Sequence, residues 1–109
     1  MLRVLVGGFG EVARLGIRAI LSSPDLVIDE CAAGAVMSTV SATRPDVLVM
    51  DAGVRDLGRA ASVAAAYPAT TVVACSAGED TMRTFLRFGD GRYSSQPLTA
   101  AGLLESVYR

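Results

Sequence analysis

Arg44-Pro45-Asp46-Val47-Leu48-Val49-Met50-Asp51 sets a proline step before four consecutive apolar residues and closes on a carboxylate. An apolar run with no polar alternation predicts a strand buried on both faces, the pattern of a parallel sheet covered by helices on either side. Proline keeps the preceding residue out of the helical region, so the strand is entered through Arg44-Pro45 and runs from Asp46 to Met50. A carboxylate at the carboxyl end of such a strand stands where open α/β sheets place their ligands. Asp51 is therefore the leading candidate for a functional residue.

Outward from this strand, apolar periods alternate between strand and helix. Leu2 to Val6 reads as a buried strand and Glu11 to Ser22 as a helix. Val12, Leu15, Gly16, Ala19 and Ile20 recur at helical spacing and predict its buried stripe, while Arg14 and Arg18 predict a solvated face. Leu26-Val27-Ile28 predicts a second strand and Val36 to Thr43 a short helix. Beyond Asp51, a helix is expected over Leu57 to Ala66, a strand over Thr71 to Ala74, a helix over Glu79 to Phe88, a polar strand over Arg92 to Ser95, and a last helix over Thr99 to Tyr108. That last helix carries Leu103, Leu104, Val107 and Tyr108, more apolar surface than one stripe requires. Five strands alternating with five helices predict a doubly wound parallel sheet in one domain spanning residues 1–109, with no linker, repeat or low-complexity segment.

The composition narrows the chemistry. The chain of 109 residues is 51% hydrophobic and 19% charged, proportions of a folded domain with a single core. Ten Arg against eleven Asp plus Glu give a net charge of −1, so no general attraction to nucleic acid or to an anionic membrane is expected. There is no His, Lys or Trp, which excludes imidazole acid–base catalysis and lysine Schiff-base or phosphate-binding chemistry. Cys31 and Cys75 match no metal-binding spacing, and with strands two and four about 14 Å apart they are expected as unpaired thiols. The chain enters a strand at once, so the expected compartment is the cytosol, with both thiols reduced.

This order, together with Arg3-Val4-Leu5-Val6, Leu15-Gly16-Ile17-Arg18-Ala19-Ile20-Leu21, the Arg44 to Asp51 segment and Gly89-Asp90-Gly91-Arg92-Tyr93-Ser94-Ser95-Gln96-Pro97, resembles the receiver domain of bacterial response regulators of the NarL/FixJ branch. The resemblance runs from Leu2 to about Val107. It implies strand order 2-1-3-4-5, with Asp51 matching the phosphoacceptor, Ser76 the hydroxyl switch residue after strand four, and Tyr93 the switch aromatic of strand five. Gly7-Gly8 stand where the family has two acids, and Gln96 stands where it has the lysine before proline, so Gly7, Gly8, Gln96 and Pro97 outline a degenerate pocket. The family's lysine–proline step is commonly cis, and the same is expected of Gln96-Pro97.

Magnesium requires oxygen ligands in near-octahedral geometry, and phosphoryl transfer relies on metal and lysine to neutralise developing charge. With those groups replaced, the expectation is a pseudo-receiver that is not an enzyme and carries no cofactor or metal. The resemblance further implies a transcription regulator that works as a homodimer and reaches DNA only through a domain outside this chain. A small molecule or anion is the expected occupant of the degenerate pocket. Two alternatives stand beside this reading. One is a conventionally phosphorylated receiver. The other is a dinucleotide- or small-ligand-sensing module, because Gly8-Phe9-Gly10-Glu11-Val12-Ala13 follows a strand, opens a helix and precedes Asp29 by the expected distance.

Overall fold

The computed structural model describes all residues, Met1–Arg109. Its elements are β1 (Leu2–Gly7), α1 (Glu11–Ile20), β2 (Leu26–Cys31), α2 (Val36–Thr43), β3 (Val47–Asp51), α3 (Leu57–Ala66), β4 (Thr71–Cys75), β5 (Thr81–Phe85), β6 (Ser94–Pro97) and α4 (Ala100–Tyr108). They form one six-stranded sheet in the order β2-β1-β3-β4-β5-β6. The class is α/β. The five-stranded parallel sheet in order 2-1-3-4-5 with five helices is corrected: the sheet is mixed, and there are four α-helices.

The difference lies in one segment. β2, β1, β3 and β4 pair in parallel, as the apolar runs predict. The stretch expected as a helix over Glu79 to Phe88 instead forms β5, antiparallel to β4, and the expected last strand is displaced outward to become β6, antiparallel to β5. Met82, Phe85 and Leu86 satisfy a helical period, but Thr81-Met82-Arg83-Thr84-Phe85 also alternates, with β-branched and aromatic residues that favour a pleated surface. Met82 and Thr84 are buried, while Thr81 and Arg83 are half-buried. β6 is a polar edge strand containing Pro97, a composition that discourages further strand pairing.

The core has two halves. Val4, Val6, Val47, Val49, Val73 and Met82 face α1 and α4, packing on Ile17, Leu21, Leu103 and Val107. Leu5, Leu48, Met50, Val72 and Phe85 face α2 and α3, packing on Val36, Val40, Ala60 and Val63. In α4, Leu103 and Val107 are therefore core residues, Leu104 is half-buried and Tyr108 is 44% exposed. The Thr99 hydroxyl caps α4 by accepting from the Gly102 N–H at 2.9 Å.

α1 corrects the predicted stripe. Its buried side is Ile17 with Leu21 just beyond, flanked by half-buried Ala13 and Ile20, whereas Val12 is 86% and Leu15 58% exposed. Arg14 and Arg18 both approach the Glu30 carboxylate, at 3.7 and 3.6 Å. The Arg44-Pro45-Asp46 step has a structural role. Arg44 ends α2 in the left-handed region, and the Asp46 carboxylate accepts the Arg3 N–H at 2.9 Å, fixing the start of β1. Both cysteines are free. No peptide bond is cis, which corrects the expectation for Gln96-Pro97. No helix is long and apolar enough to cross a membrane.

Candidate functional site

The carboxyl ends of β1, β3 and β4 open into a polar cleft of about 470 Å³. Gly8, Asp51, Gly53, Ser76 and Glu79 line it, together with Arg55 and Asp56 just before α3 and Arg59 in its first turn. The connections out of β1 and β3 run to opposite sides of the sheet, so the cleft lies at the kind of switch point where open α/β sheets hold ligands. Asp51 and Ser76, paired by the sequence reading, therefore do share a site.

The glycines have separate physical causes. A Cβ at Gly7 would lie 2.9 Å from Val36 Cγ2 and 3.3 Å from Cys31 Sγ, so this side of β1 faces α2 rather than the cleft. Gly7 is what lets α2 close on the sheet. Gly8 has φ +86°, and a Cβ there would stand 3.7 Å from the Cβ of Asp51. Of the two positions read as lost acids, only Gly8 borders the cleft.

Tyr93, Gln96 and Pro97 lie elsewhere, carried off with the displaced β6. The Tyr93 ring packs on Phe85 at 5.4 Å between centroids. The Gln96 amide bonds the Ser106 hydroxyl of α4 at 3.0 Å, and oriented to satisfy both neighbours its oxygen accepts from Arg109 at 2.7 and 2.8 Å. None of the three lines the cleft. Gln96, which the resemblance aligns with the family's lysine, is thus held in a hydrogen-bond network against the last helix.

Sequence reasoning missed Glu79, Arg59 and Asp56. Glu79 falls within the expected helix, yet in the turn between β4 and β5 its carboxylate accepts hydrogen bonds from the Val54 N–H at 2.9 Å and from the Arg83 guanidinium at 3.0 Å. Gly53 leaves the space this carboxylate occupies. The hydrogen bonds from Val54 and Arg83 hold Glu79 below the usual carboxylate range. A carboxylate depressed in the folded state adds stability that is complete above its unfolded value, about 4.3, and is lost as pH falls through the lower folded value. Glu79→Gln is thus expected to flatten stability against pH below about 4.3 while leaving the slope near neutrality unchanged; acid titrations of thermal unfolding measure this.

Arg59 donates to the Asp51 carbonyl oxygen at 3.0 Å and so braces the loop rather than the carboxylate. Neither Asp51 nor Arg55 forms an ion pair. The three carboxylates of the cleft, Asp51, Asp56 and Glu79, do not come together as a ligand set; no group of three or more Cys, Asp or Glu side chains does. Beneath the cleft, burial and the neighbouring Asp51 charge push the Cys75 thiol up to about 12. Burial also raises Cys31. Both shifts favour the protonated thiol, the less nucleophilic form.

The dinucleotide pattern sits on strand, loop and helix as its spacing requires, with Gly10 at the amino end of α1. Asp29, however, pairs with Leu5 in mid-strand and bonds Arg3 at 3.3 Å, away from the β2 terminus where a ribose would need it. Glu11 adds a negative charge in the first turn of α1, where a pyrophosphate would lie.

Comparisons with protein-family models, with curated proteins and with solved structures found no match.

Proposed function

We propose that this chain is a regulatory, non-catalytic module of receiver-like design, acting in the cytosol as a homodimer and controlling transcription through a partner or DNA-binding domain outside the chain. The observation that carries this reading is the setting of Asp51. It ends the central parallel strand beside Ser76, in an open cleft, with glycine at the neighbouring end of β1 and with Gln96 engaged on α4. A receiver-like frame accounts for the acid and the hydroxyl at the ends of β3 and β4, and for the order of the four parallel strands. Glycine at Gly8 and the lack of any lysine beside the cleft support a site that would not assemble magnesium and a phosphoryl group around the carboxylate.

A second reading of the same cleft is favoured by its free unlike charges. Asp51 and Arg55 are both without ion pairs, an arrangement suited to a small polar ligand or anion held reversibly. Acetyl phosphate with magnesium separates the readings. The chain stays unlabelled on the proposal, and a rise in melting temperature with orthophosphate but without covalent label assigns the cleft to reversible anion binding. Covalent labelling on Asp51 restores the conventional receiver.

A further inference from the structure

The apolar stripe most evident in the sequence of α1 is the one the fold leaves outside. Val12 and Leu15 are 86% and 58% exposed, and Gly16 and Ala19 on the same side are exposed as well. The opposite side, through Ile17, is spent on the sheet. A single helix carrying two apolar sides, one buried and one in water, has an unfilled packing requirement.

The exposed side has a heptad order. Val12, Leu15 and Ala19 occupy a, d and a positions, and Glu11 and Arg18 occupy the two flanking g positions. When two such helices pack antiparallel, g faces g, so Glu11 of one helix meets Arg18 of the other, and the reciprocal pair forms by symmetry. In the same register Val12 packs on Leu15 of the other helix, and Leu15 on Val12. Apolar and charged contacts thus select one alignment. Within one copy the charges are polarised for it: Glu11 has no ion pair, while Arg14 and Arg18 share the single carboxylate of Glu30 and leave one positive charge in excess. A Cβ at Gly16 would meet nothing within 4 Å, so the neighbouring helix can approach closely on that side.

We infer that the partner of α1 is a second copy of this chain, joined by an isologous antiparallel α1–α1 seam with Glu11–Arg18 pairs on its flank. This deepens the homodimer of the proposed function and rests on that reading. A seam of about three turns is smaller than the roughly 800 Å² per partner of a standard interface, so association depends on concentration.

Sedimentation equilibrium of the full chain, over a concentration series, tests it by charge exchange. Glu11→Arg and Arg18→Glu are each expected to weaken self-association by roughly tenfold, as two attractive pairs become repulsive. Mixing the two single variants restores association, because one copy then presents two cations and the other two anions. The Glu11→Arg, Arg18→Glu double variant also restores it. Thermal unfolding of each variant reports whether the fold is kept, and restoration in the mixture excludes misfolding as the cause of loss. Association that all variants retain unchanged overturns the seam and leaves the homodimer reading standing through another face. A chain that stays monomeric at every concentration overturns both. Phosphoryl labelling of Asp51 bears on the non-catalytic reading alone.

Discussion

Gly7→Asp, which puts an acid back at one of the two positions where the resemblance calls for it, is expected to destabilise the fold by about 3 kcal/mol or more. The new Cβ would meet Val36 Cγ2 at 2.9 Å and Cys31 Sγ at 3.3 Å, and the carboxyl group would be driven into the packing of α2 over β1. Domains of this size are stable by only about 5–15 kcal/mol, so a large share of the margin is lost. A fall in melting temperature of more than about 10 °C is the expected reading. Gly8→Asp behaves differently. Its Cβ would make ordinary van der Waals contacts, 3.5 Å from Ala33 and 3.7 Å from Asp51, and the main penalty is the positive φ, about 1–2 kcal/mol. Comparable losses at the two positions would contradict the distinction between a packing glycine and a site glycine.

Met82→Ala is expected to cost about 2–5 kcal/mol, and Leu86→Ala less than about 1 kcal/mol. On a helix spanning Glu79 to Phe88, Met82, Phe85 and Leu86 would share one buried face and the two substitutions would be alike. On β5, Met82 is fully buried beneath α4, with its Cε 3.2 Å from the Cβ position of Gly102, while Leu86 lies past the strand end and is 46% exposed. Denaturant unfolding of both variants measures the contrast. Equal losses would return the segment to a helix and the sheet to five strands.

The parallel half of the fold was legible because its signals are strong and agree with one another. Val47 to Met50 and Thr71 to Ala74 are short apolar runs bounded by proline or polar residues, and Val36 to Thr43 and Leu57 to Ala66 end where Arg44-Pro45 and Tyr67-Pro68 require. The β5 segment was not legible, because Met82, Phe85 and Leu86 fit a period of 3.6 while Thr81 to Phe85 fits a period of 2, and pairing with β4 decides between them. α1 failed for a related reason. Val12–Leu15–Ala19 and Ala13–Ile17–Ile20 are both apolar stripes, and local sequence does not say which one the sheet will take.

For the site, Asp51, Ser76 and Gly8 were legible because their place follows from the ends of parallel strands. Tyr93, Gln96 and Pro97 moved with the inserted strand, an event that no local signal near them records. Glu79 was hidden by the mistaken helix. Its pairing with Arg83 four residues on is a spacing that helices share, whereas its bond to Val54 depends on a turn.

Charge around Asp51 is the centre of the account. Without an acid from the end of β1 or a lysine from the last strand, the carboxylate is not expected to gather magnesium and an in-line phosphoryl donor. The most direct test is a time course of intact mass for the wild-type chain and for Asp51→Asn, each incubated with acetyl phosphate and magnesium. The account predicts no phosphoryl increment on either chain and no dependence on the metal. Stoichiometric, magnesium-stimulated labelling of the wild type that Asp51→Asn abolishes would contradict it.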